Sequence, residues 1–310
     1  MSHKLISALT GAFVAAAMFA TPVSAKTDAA TEAAMKAALT GSHRAEANKL
    51  RDPARHPLET LKFFGLNKDM KVMEIWPSGG YWTEILAPTL KNNYIAAHWD
   101  PARSENVKKM VETFKADLVK NEAIYGKPQI VTLYPATNQL TPVPAGSIDM
   151  VVTFRNIHNW MGQGQEDVMF KAFFDALKPG GYLGVKEHRA NTDKPQDPKA
   201  VSGYVREDYA QALAEKAGFK LVSKSEINAN QKDTKDYEKG VWTLPPNYRE
   251  KDVDKAKYTA IGESDLFTHL YQQRGTRGVV AGIGLHTVHQ LTAVAAVPAG
   301  LLDAGRSRNM

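Results

Sequence analysis

Short apolar runs alternate with amphipathic stretches along the middle of the chain. Such runs, bounded by Gly, Pro, Asn or Asp, are typical of buried parallel strands, and helical spacing of apolar residues marks the stretches between them. The pattern predicts strands at 72–76, 93–99, 129–133, 148–154, 182–186, 219–223 and 265–271. It predicts helices at 58–64, 81–90, 106–121, 166–177 and 206–217. This alternation predicts an α/β fold whose mostly parallel sheet carries helices on both faces, with the last two strands as an antiparallel edge hairpin.

The first predicted strand breaks into a glycine turn, Pro77-Ser78-Gly79-Gly80, and the chain restarts as a helix. Proline ends the strand ladder, and the two glycines permit positive φ. A turn of this kind brings backbone N–H groups and a helix N-terminus to the carboxyl edge of a sheet, where nucleotide-like ligands bind. A plain connection that binds nothing is an equally good interpretation of these residues alone.

The N-terminus has the three parts of a secretory signal. A short basic stretch precedes the apolar run 5–20, and Val23-Ser24-Ala25 places small residues where a signal peptidase cleaves. We therefore expect residues 1–25 to be a signal peptide that directs the protein to a bacterial periplasm. The run is short for a membrane span, so no stable membrane association is expected after cleavage. An uncleaved anchor is the alternative.

Composition excludes several classes of site. The formal charge of +6 is spread among acidic residues, so nucleic acid is not an expected partner. The chain has no cysteine, which excludes disulfides, thiolate zinc sites and cysteine nucleophiles. Residues 26–50 are predicted as an alanine-rich helical leader, 51–271 as the α/β domain, and 272–310 as an atypical, loosely ordered and dispensable extension. An extended segment is expected at 51–57, which contains two prolines.

Three motifs follow one another along the predicted sheet: E-I-W-P-S-G-G from Glu74, S-I-D-M-V-V from Ser147, and L-K-P-G-G-Y-L from Leu177. In this order and at these separations they resemble class I S-adenosylmethionine (SAM) dependent methyltransferases. More narrowly, T-F-R-N-I-H-N-W, S-G-Y-V-R-E-D-Y and G-V-W-T-L-P-P resemble an exported bacterial group of predicted methyltransferases. The resemblance runs from about Asp52 to about Phe267. It implies a Rossmann-like, seven-stranded methyltransferase sheet with SAM as cofactor.

The resemblance also implies which residues hold the cofactor: Glu74, Trp76, Ser78, Gly79, Gly80, His98 and Asp100. Trp76 and Ser78 stand where the family has its first two glycines. His98 stands where the family offers an acid to the ribose, with Asp100 two residues later. The loop 136–139 lacks the acid that often lies near the adenine. A charge-assisted hydrogen bond is worth roughly 1.5–3 kcal/mol. Because the acids that would make such bonds to the ribose and the adenine are absent here, we expect any SAM binding to be weak.

Polar residues follow the predicted strands at their carboxyl ends, which converge on one rim of a parallel sheet. The expected catalytic residues are Arg155, Asn156 and His158. The expected substrate-binding residues are Trp160, Glu187, His188, Arg189, Tyr204 and Arg206. For any single histidine, an ordinary hydrogen-bonding role is the alternative.

His158 is the expected general base, because its unperturbed pKa of about 6.5 suits proton transfer near neutral pH. Glu187 is expected to orient its ring. A metal ion held by His98, His158 and His188 is not expected, because strands two and five lie on opposite flanks of the rim. Two functions follow: a SAM-dependent methyltransferase acting on a small molecule in the periplasm, or an exported Rossmann-like protein that binds or transforms another ligand without methyl transfer.

The leader generates a first prediction. Cleavage after Ala25 gives a mature protein that starts at Lys26, because the small residues of Val23-Ser24-Ala25 meet the peptidase requirement. Intact-mass spectrometry of protein from the native periplasm measures this directly. A mass that includes residues 1–25 would indicate a membrane-tethered protein instead.

Overall fold

The computed structural model describes residues 26–274, which contain a seven-stranded sheet with strand order β3-β2-β1-β4-β5-β7-β6. Strands β1 to β5 pair in parallel, and β7 runs antiparallel between β5 and β6. The strands are β1 (Val72–Ile75), β2 (Tyr94–His98), β3 (Gln129–Thr132), β4 (Ile148–Phe154), β5 (Leu177–His188), β6 (Phe219–Ser225) and β7 (Leu266–Gln273). The prediction of a mostly parallel, Rossmann-like methyltransferase sheet is confirmed. The expected signal peptide lies outside the described residues, as does the expected extension 272–310 apart from its first residues, of which Gln272 and Gln273 belong to β7.

The helices lie mainly between the strands, as the alternating pattern predicts. They are α1 (Ala29–Thr40), α2 (Glu46–Lys49), α3 (Asp52–Arg55), α4 (Pro57–Phe63), α5 (Thr83–Leu90), α6 (Glu105–Lys120), α7 (Glu122–Tyr125), α8 (Ile157–Met161), α9 (Glu166–Ala176), α10 (Glu207–Lys216) and α11 (Lys255–Ile261). Short 3₁₀ turns occupy Lys91–Asn93, Pro101–Arg103, Pro135–Thr137 and Gly240–Thr243. No helix in this part of the chain is long and apolar enough to cross a bilayer.

Both faces of the sheet are buried, which explains why the strands read as continuous apolar runs. Successive residues of β1 point to opposite faces. Met73 and Ile75 join one core with Phe173 of α9. Val72 joins the other core with Ile85 of α5. The two cores hold the strands rigidly, so the carboxyl ends of β1, β4 and β5 have fixed positions at the rim.

Three local expectations are corrected. The segment 51–57 is not extended: α3 forms there because proline is tolerated in the first turn of a helix, where its missing N–H has no partner to lose. The K-P-G-G motif lies inside β5 as a register irregularity between Ile148 and Met150 of the neighbouring strand. Strand β7 ends at Gln273, two residues later than expected, and the Gln273 amide donates to Leu177 O (3.0 Å).

Helix α1 lies within the predicted leader and packs on the core. Asp28 begins the helix, accepting a hydrogen bond from the backbone N–H of Thr31 at 2.6 Å. Met35 is fully buried in the same core as Leu61 and Leu86. The alanine-rich stretch therefore contributes apolar surface to the domain core, and its removal would uncover that surface.

Replacement of Met35 by Ala should therefore lower the free energy of unfolding by about 2–5 kcal/mol, because it leaves a cavity where a buried side chain was. Urea denaturation of the mature protein measures the change. Lys36→Ala, one residue along the same helix and with a 60% exposed side chain, is the control and should have little effect. Equal stability of Met35→Ala and wild type would show that α1 is not part of the cooperative core.

Candidate functional site

A cleft of about 360 Å³ lies at the carboxyl ends of β1, β4 and β5. The convergence of strand ends predicted from the sequence places it there. Residues far apart in the chain line it, among them Arg51, Arg55, Trp76, Ser78, Gly79, Tyr81, Arg155, Asn156, His158, His188, Trp242 and Glu263. Its walls are rich in guanidinium, imidazole and amide groups, so it is suited to a polar or charged small molecule.

His158 and Glu187 form a buried hydrogen-bonded pair at this cleft. Helix α8 begins directly after β4 and carries His158, whereas Glu187 is fully buried near the end of β5. His158 Nδ1 lies 3.0 Å from Glu187 Oε1. A carboxylate only accepts hydrogen bonds, so in the neutral ring Nδ1 carries the proton and Nε2 has the lone pair. Nε2 is then available as a base to a molecule in the cleft.

The backbone of Arg155 adopts a conformation that side chains rarely occupy. Its φ is +60°, and its N–H donates to Lys186 O at 2.7 Å. Asn156 lies next to it and donates its amide to Ile75 O at 2.9 Å, which joins the ends of β4 and β1. Asn156 therefore positions the rim through its amide N–H, although its side chain also borders the cleft. A non-glycine residue held in a strained turn at a cleft is typical of functional sites.

Three arginines of the cleft share one carboxylate. Arg51 Nε donates to Glu263 at 2.6 Å and Arg55 Nε donates to it at 3.2 Å. Arg155 Nη1 lies 3.8 Å from the same carboxylate. These guanidiniums hold the pKa of Glu263 at about 2, against the opposing effect of burial. Burial, reinforced by the charges of Arg155 and Arg51, lowers the pKa of Arg55 to about 9.

His188 borders the cleft beside His158, and the centres of the two rings are 5.4 Å apart. Its Nδ1 lies 2.5 Å from Ser264 Oγ. Burial, together with His158 and nearby cations, lowers the pKa of His188 well below its ordinary value, so its ring is neutral. Possible metal-ligating atoms of His158, Glu187 and His188 lie within 4.8 Å of one another. The surrounding positive charge opposes binding of a cation, and a metal-free site stays our prediction.

The glycine turn keeps the backbone of a glycine-rich loop with only one of that loop's three glycines. Trp76, Ser78 and Gly80 have φ values of +49°, +55° and +82°. These are the three positions at which the resembling methyltransferases have glycine. The side chains of Trp76 and Ser78 therefore occupy space that glycine would leave open.

Trp76 lies in the part of the rim where the resemblance places the amino-acid end of SAM. Its indole is 3% exposed, and its Nε1 donates to Leu133 O at 2.8 Å. Its ring packs against Trp99, Tyr134 and Trp160, which follow β2, β3 and β4, with ring centres 5.4–6.4 Å away. Four aromatic rings thus form a cluster at this end of the rim, and two of them, Trp76 and Trp99, border the cleft.

The two residues expected to bind the ribose, Asp100 and His98, contact other parts of the protein instead. Asp100 accepts hydrogen bonds from Ala102 N (2.9 Å), Thr137 Oγ1 (3.0 Å) and Gln139 Nε2 (2.7 Å). His98 is 1% exposed and packs on Phe114, and burial lowers its pKa to about 4. Neither residue borders the cleft. The residues present therefore do not fit SAM in the manner that the resemblance implies.

The buried carboxyl group of Glu74 is held by hydrogen bonds within the protein. Its carboxyl group accepts hydrogen bonds from Tyr94 OH at 2.5 Å and Thr83 Oγ1 at 3.1 Å. Burial raises its pKa to about 7. Ser78 and Gly79 border the cleft, whereas Gly80 faces the ring of Phe114. Of the expected cofactor residues, Glu74, Trp76, Ser78 and Gly79 border the cleft, whereas Gly80, His98 and Asp100 do not.

Two aromatic residues expected to contact the substrate serve other purposes. Trp160 is fully buried, with its ring centre 5.3 Å from that of Phe173 in the core. Tyr204 donates its hydroxyl to Asp233 at 2.9 Å. Neither side chain lines the cleft. This corrects the sequence-based expectation, which could not separate aromatic core packing from a ligand platform.

Two arginines expected at the substrate also lie outside the cleft. Arg189 pairs with Glu226 at 2.6 Å, and Arg206 pairs with Asp208 at 2.6 Å. Their guanidiniums are thus used in ion pairs on the protein surface. Glu187 is likewise not a substrate contact, because its carboxylate is fully engaged in positioning His158 and the backbone around it.

Sequence analysis missed the residues that come from outside the strand ends. Arg51 and Arg55 flank and end α3, and their spacing of four residues puts them on one side of a helical turn. Glu263 comes from the loop before β7. Trp242, within the quoted motif G-V-W-T-L-P-P, lies with its ring centre 6.0 Å from that of His158. The spacing of the two arginines was the available signal.

Comparison with solved structures returns several similar proteins. A SAM-dependent methyltransferase from Aquifex aeolicus is 16% identical, with 72% of this chain and 95% of that chain covered and a TM-score of 0.47. An arsenic(III) S-adenosylmethionine methyltransferase from Chlamydomonas reinhardtii is 15% identical (79% and 74% covered, TM-score 0.44), and the [4+2]-cyclase SpnF is 12% identical (81% and 98% covered, TM-score 0.47). No protein-family model and no curated protein sequence matches this chain.

The packing of Trp76 at the expected amino-acid end of SAM generates a prediction about SAM binding. Titration calorimetry of wild type should give a dissociation constant weaker than micromolar. Trp76→Gly should bind SAM more tightly, because it opens a cavity beside Trp99 and removes a side chain from a position with positive φ. Trp242→Ala, which enlarges the other side of the cleft, is the matched control and should not improve SAM binding. A submicromolar constant for wild type would contradict this view of Trp76.

Proposed function

We propose that this protein is an exported enzyme that uses His158 as a general base on an anionic small molecule in the periplasm. The observation that carries the proposal is the hydrogen bond between Glu187 and His158 Nδ1 at a cleft bordered by arginines. A histidine that is oriented by a buried carboxylate is suited to act as a general base in proton abstraction. Proton abstraction does not require SAM, whereas the alternative function, methyl transfer, does.

Glu187 fixes both the tautomer and the orientation of the imidazole. One oxygen accepts from His158 Nδ1 and from the backbone N–H of His188 (2.8 Å), and the other accepts from the N–H of Ile157 (2.6 Å). The ring cannot turn without losing the bond to the carboxylate. When Nε2 takes a proton from the substrate, the carboxylate stabilises the imidazolium that forms.

The cationic wall is suited to the charge that appears on the substrate. Proton removal leaves an electron pair on the substrate, and its negative charge would face Arg155, three residues before His158 in the chain. A guanidinium that is already in place stabilises such charge without reorganisation. Neutral His188, beside His158, is available as a hydrogen-bonding partner for the same intermediate.

Methyl transfer is the second candidate, favoured by one observation. The backbone at Trp76, Ser78 and Gly80 keeps the left-handed conformations that a glycine-rich cofactor loop uses. SAM would then have to bind differently from the resembling family, or Trp76 would have to move. Because one fold hosts many reactions, the fold does not decide between the two candidates. The titration with SAM separates them.

His158→Gln should abolish proton abstraction, because glutamine keeps a polar side chain but supplies no base near neutral pH. The mature protein is incubated in D₂O with small carboxylates and phosphate esters that carry an acidic C–H bond. Mass spectrometry then measures deuterium incorporation. We expect the rate of exchange to fall by about 10²–10⁴-fold in the variant.

His43→Gln is the matched control, since His43 bonds to Glu84 O outside the cleft, and should exchange at the wild-type rate. Melting temperatures of both variants establish that they are folded. An exchange rate in His158→Gln equal to that of wild type would overturn the assignment of the base.

A further inference from the structure

The geometry points to a subsite, formed by Arg51, Arg55 and Arg155, for a phosphoryl group or a comparable dianionic oxyanion of the substrate. The inference deepens the proposed function and rests on it, because it names the group by which the substrate is held. It concerns binding alone and involves no covalent step. The three guanidiniums border the same cleft as His158.

Charge in this part of the cleft is not balanced. Three guanidiniums face the single carboxylate of Glu263, which leaves an excess of two positive charges. Lys186 lies behind them and donates to Arg55 O at 2.9 Å, so no acid is supplied from that side. A buried cluster of like charges is unfavourable unless a counter-charge binds. A dianion would neutralise it.

Hydrogen-bond donors of the same arginines are also left without partners. Nη2 of Arg51 and Nη2 of Arg55 are buried and have no acceptor among the described residues. Arg155 comes no closer to Glu263 than 3.8 Å, which is beyond hydrogen-bond distance. Buried donors are normally satisfied, so their lack of acceptors requires an explanation. An oxyanion supplies several acceptors in one group.

The arginines are held in place before any ligand binds. The guanidinium carbon of Arg55 lies 4.2 Å from the ring centre of Tyr81, a cation–π distance. Tyr81 in turn donates its hydroxyl to Asp52 at 2.7 Å. Arg55 itself is 3% exposed, so its position is determined by packing rather than by solvent. Such preorganisation lowers the entropy that binding costs.

A phosphoryl group matches this set better than a single carboxylate does. A phosphate monoester carries a charge of about −1.5 to −2 at pH 7 and three acceptor oxygens. Arginine forks bind phosphate in a bidentate manner. A monocarboxylate would compensate only one of the two excess charges. The subsite would hold the substrate by this group while His158 reaches a nearby C–H bond.

The probe is inorganic phosphate, titrated by calorimetry into the mature protein at constant ionic strength and pH 7.5. Acetate, succinate and sulfate are titrated in parallel. We expect phosphate to bind, with acetate at least about tenfold weaker. Arg51→Gln should weaken phosphate binding by about 10–100-fold, because it removes a charged donor. Arg103→Gln, an exposed arginine outside the cleft, is the matched control and should bind phosphate as wild type does.

A second variant addresses the risk that loss of an arginine disturbs folding. Arg155→Gly removes the guanidinium from a residue whose φ is +60°, a conformation that glycine adopts freely. It should weaken phosphate binding by a similar factor without lowering the melting temperature. Wild-type affinity for phosphate in both Arg51→Gln and Arg155→Gly would overturn the subsite, as would the absence of binding to wild type at 10 mM phosphate.

The two proposals can fail separately. His158→Gln should bind phosphate with wild-type affinity, because the base is not part of the subsite. Deuterium exchange that depends on His158 without any phosphate binding would overturn the subsite alone. Phosphate binding that depends on the arginines, with exchange unaffected in His158→Gln, would overturn the base alone. Preferential binding of succinate over phosphate would overturn the choice of a phosphoryl group.

Discussion

The site depends on the hydrogen bonds that the carboxylate of Glu187 accepts. It is fully buried near the end of β5, and it accepts hydrogen bonds from the backbone of Ile157 and of His188 and from the ring of His158. These bonds join the end of β5 to the start of α8. Because the acceptor sits on a central strand packed on both faces, the imidazole inherits the rigidity of the sheet. A loop could not hold a base so closely.

Positive charge is the second organising feature, and it comes from outside the sheet. Arg55 comes from helix α3, and Arg155 comes from the turn after β4. Glu263 bridges them and is held ionised by them. One carboxylate compensates the charge of only one of the three guanidiniums, so the cluster keeps an excess of positive charge. The excess positive charge in the cleft favours an anionic ligand and disfavours a cation.

Trp76 shows how a shared backbone can serve a different purpose. The turn after β1 retains left-handed residues where the resembling family has glycines, yet an indole occupies the space. Its N–H is satisfied by Leu133 O, and its ring is surrounded by three other aromatic rings. The indole thus packs beside the cleft, in space that a glycine would leave open. The fold alone therefore does not determine whether SAM binds.

The sequence by itself determined the sheet, because burial on both faces requires apolar runs, and their alternation with helices leaves few topologies. It also determined that His158 and Glu187 would meet, since both stand at the ends of neighbouring parallel strands. Only the tertiary structure decided that Trp160 and Tyr204 pack inside, because an aromatic side chain reads alike in a core or a cleft. It also brought Arg51 to Glu263, a contact between segments 212 residues apart that no local pattern encodes.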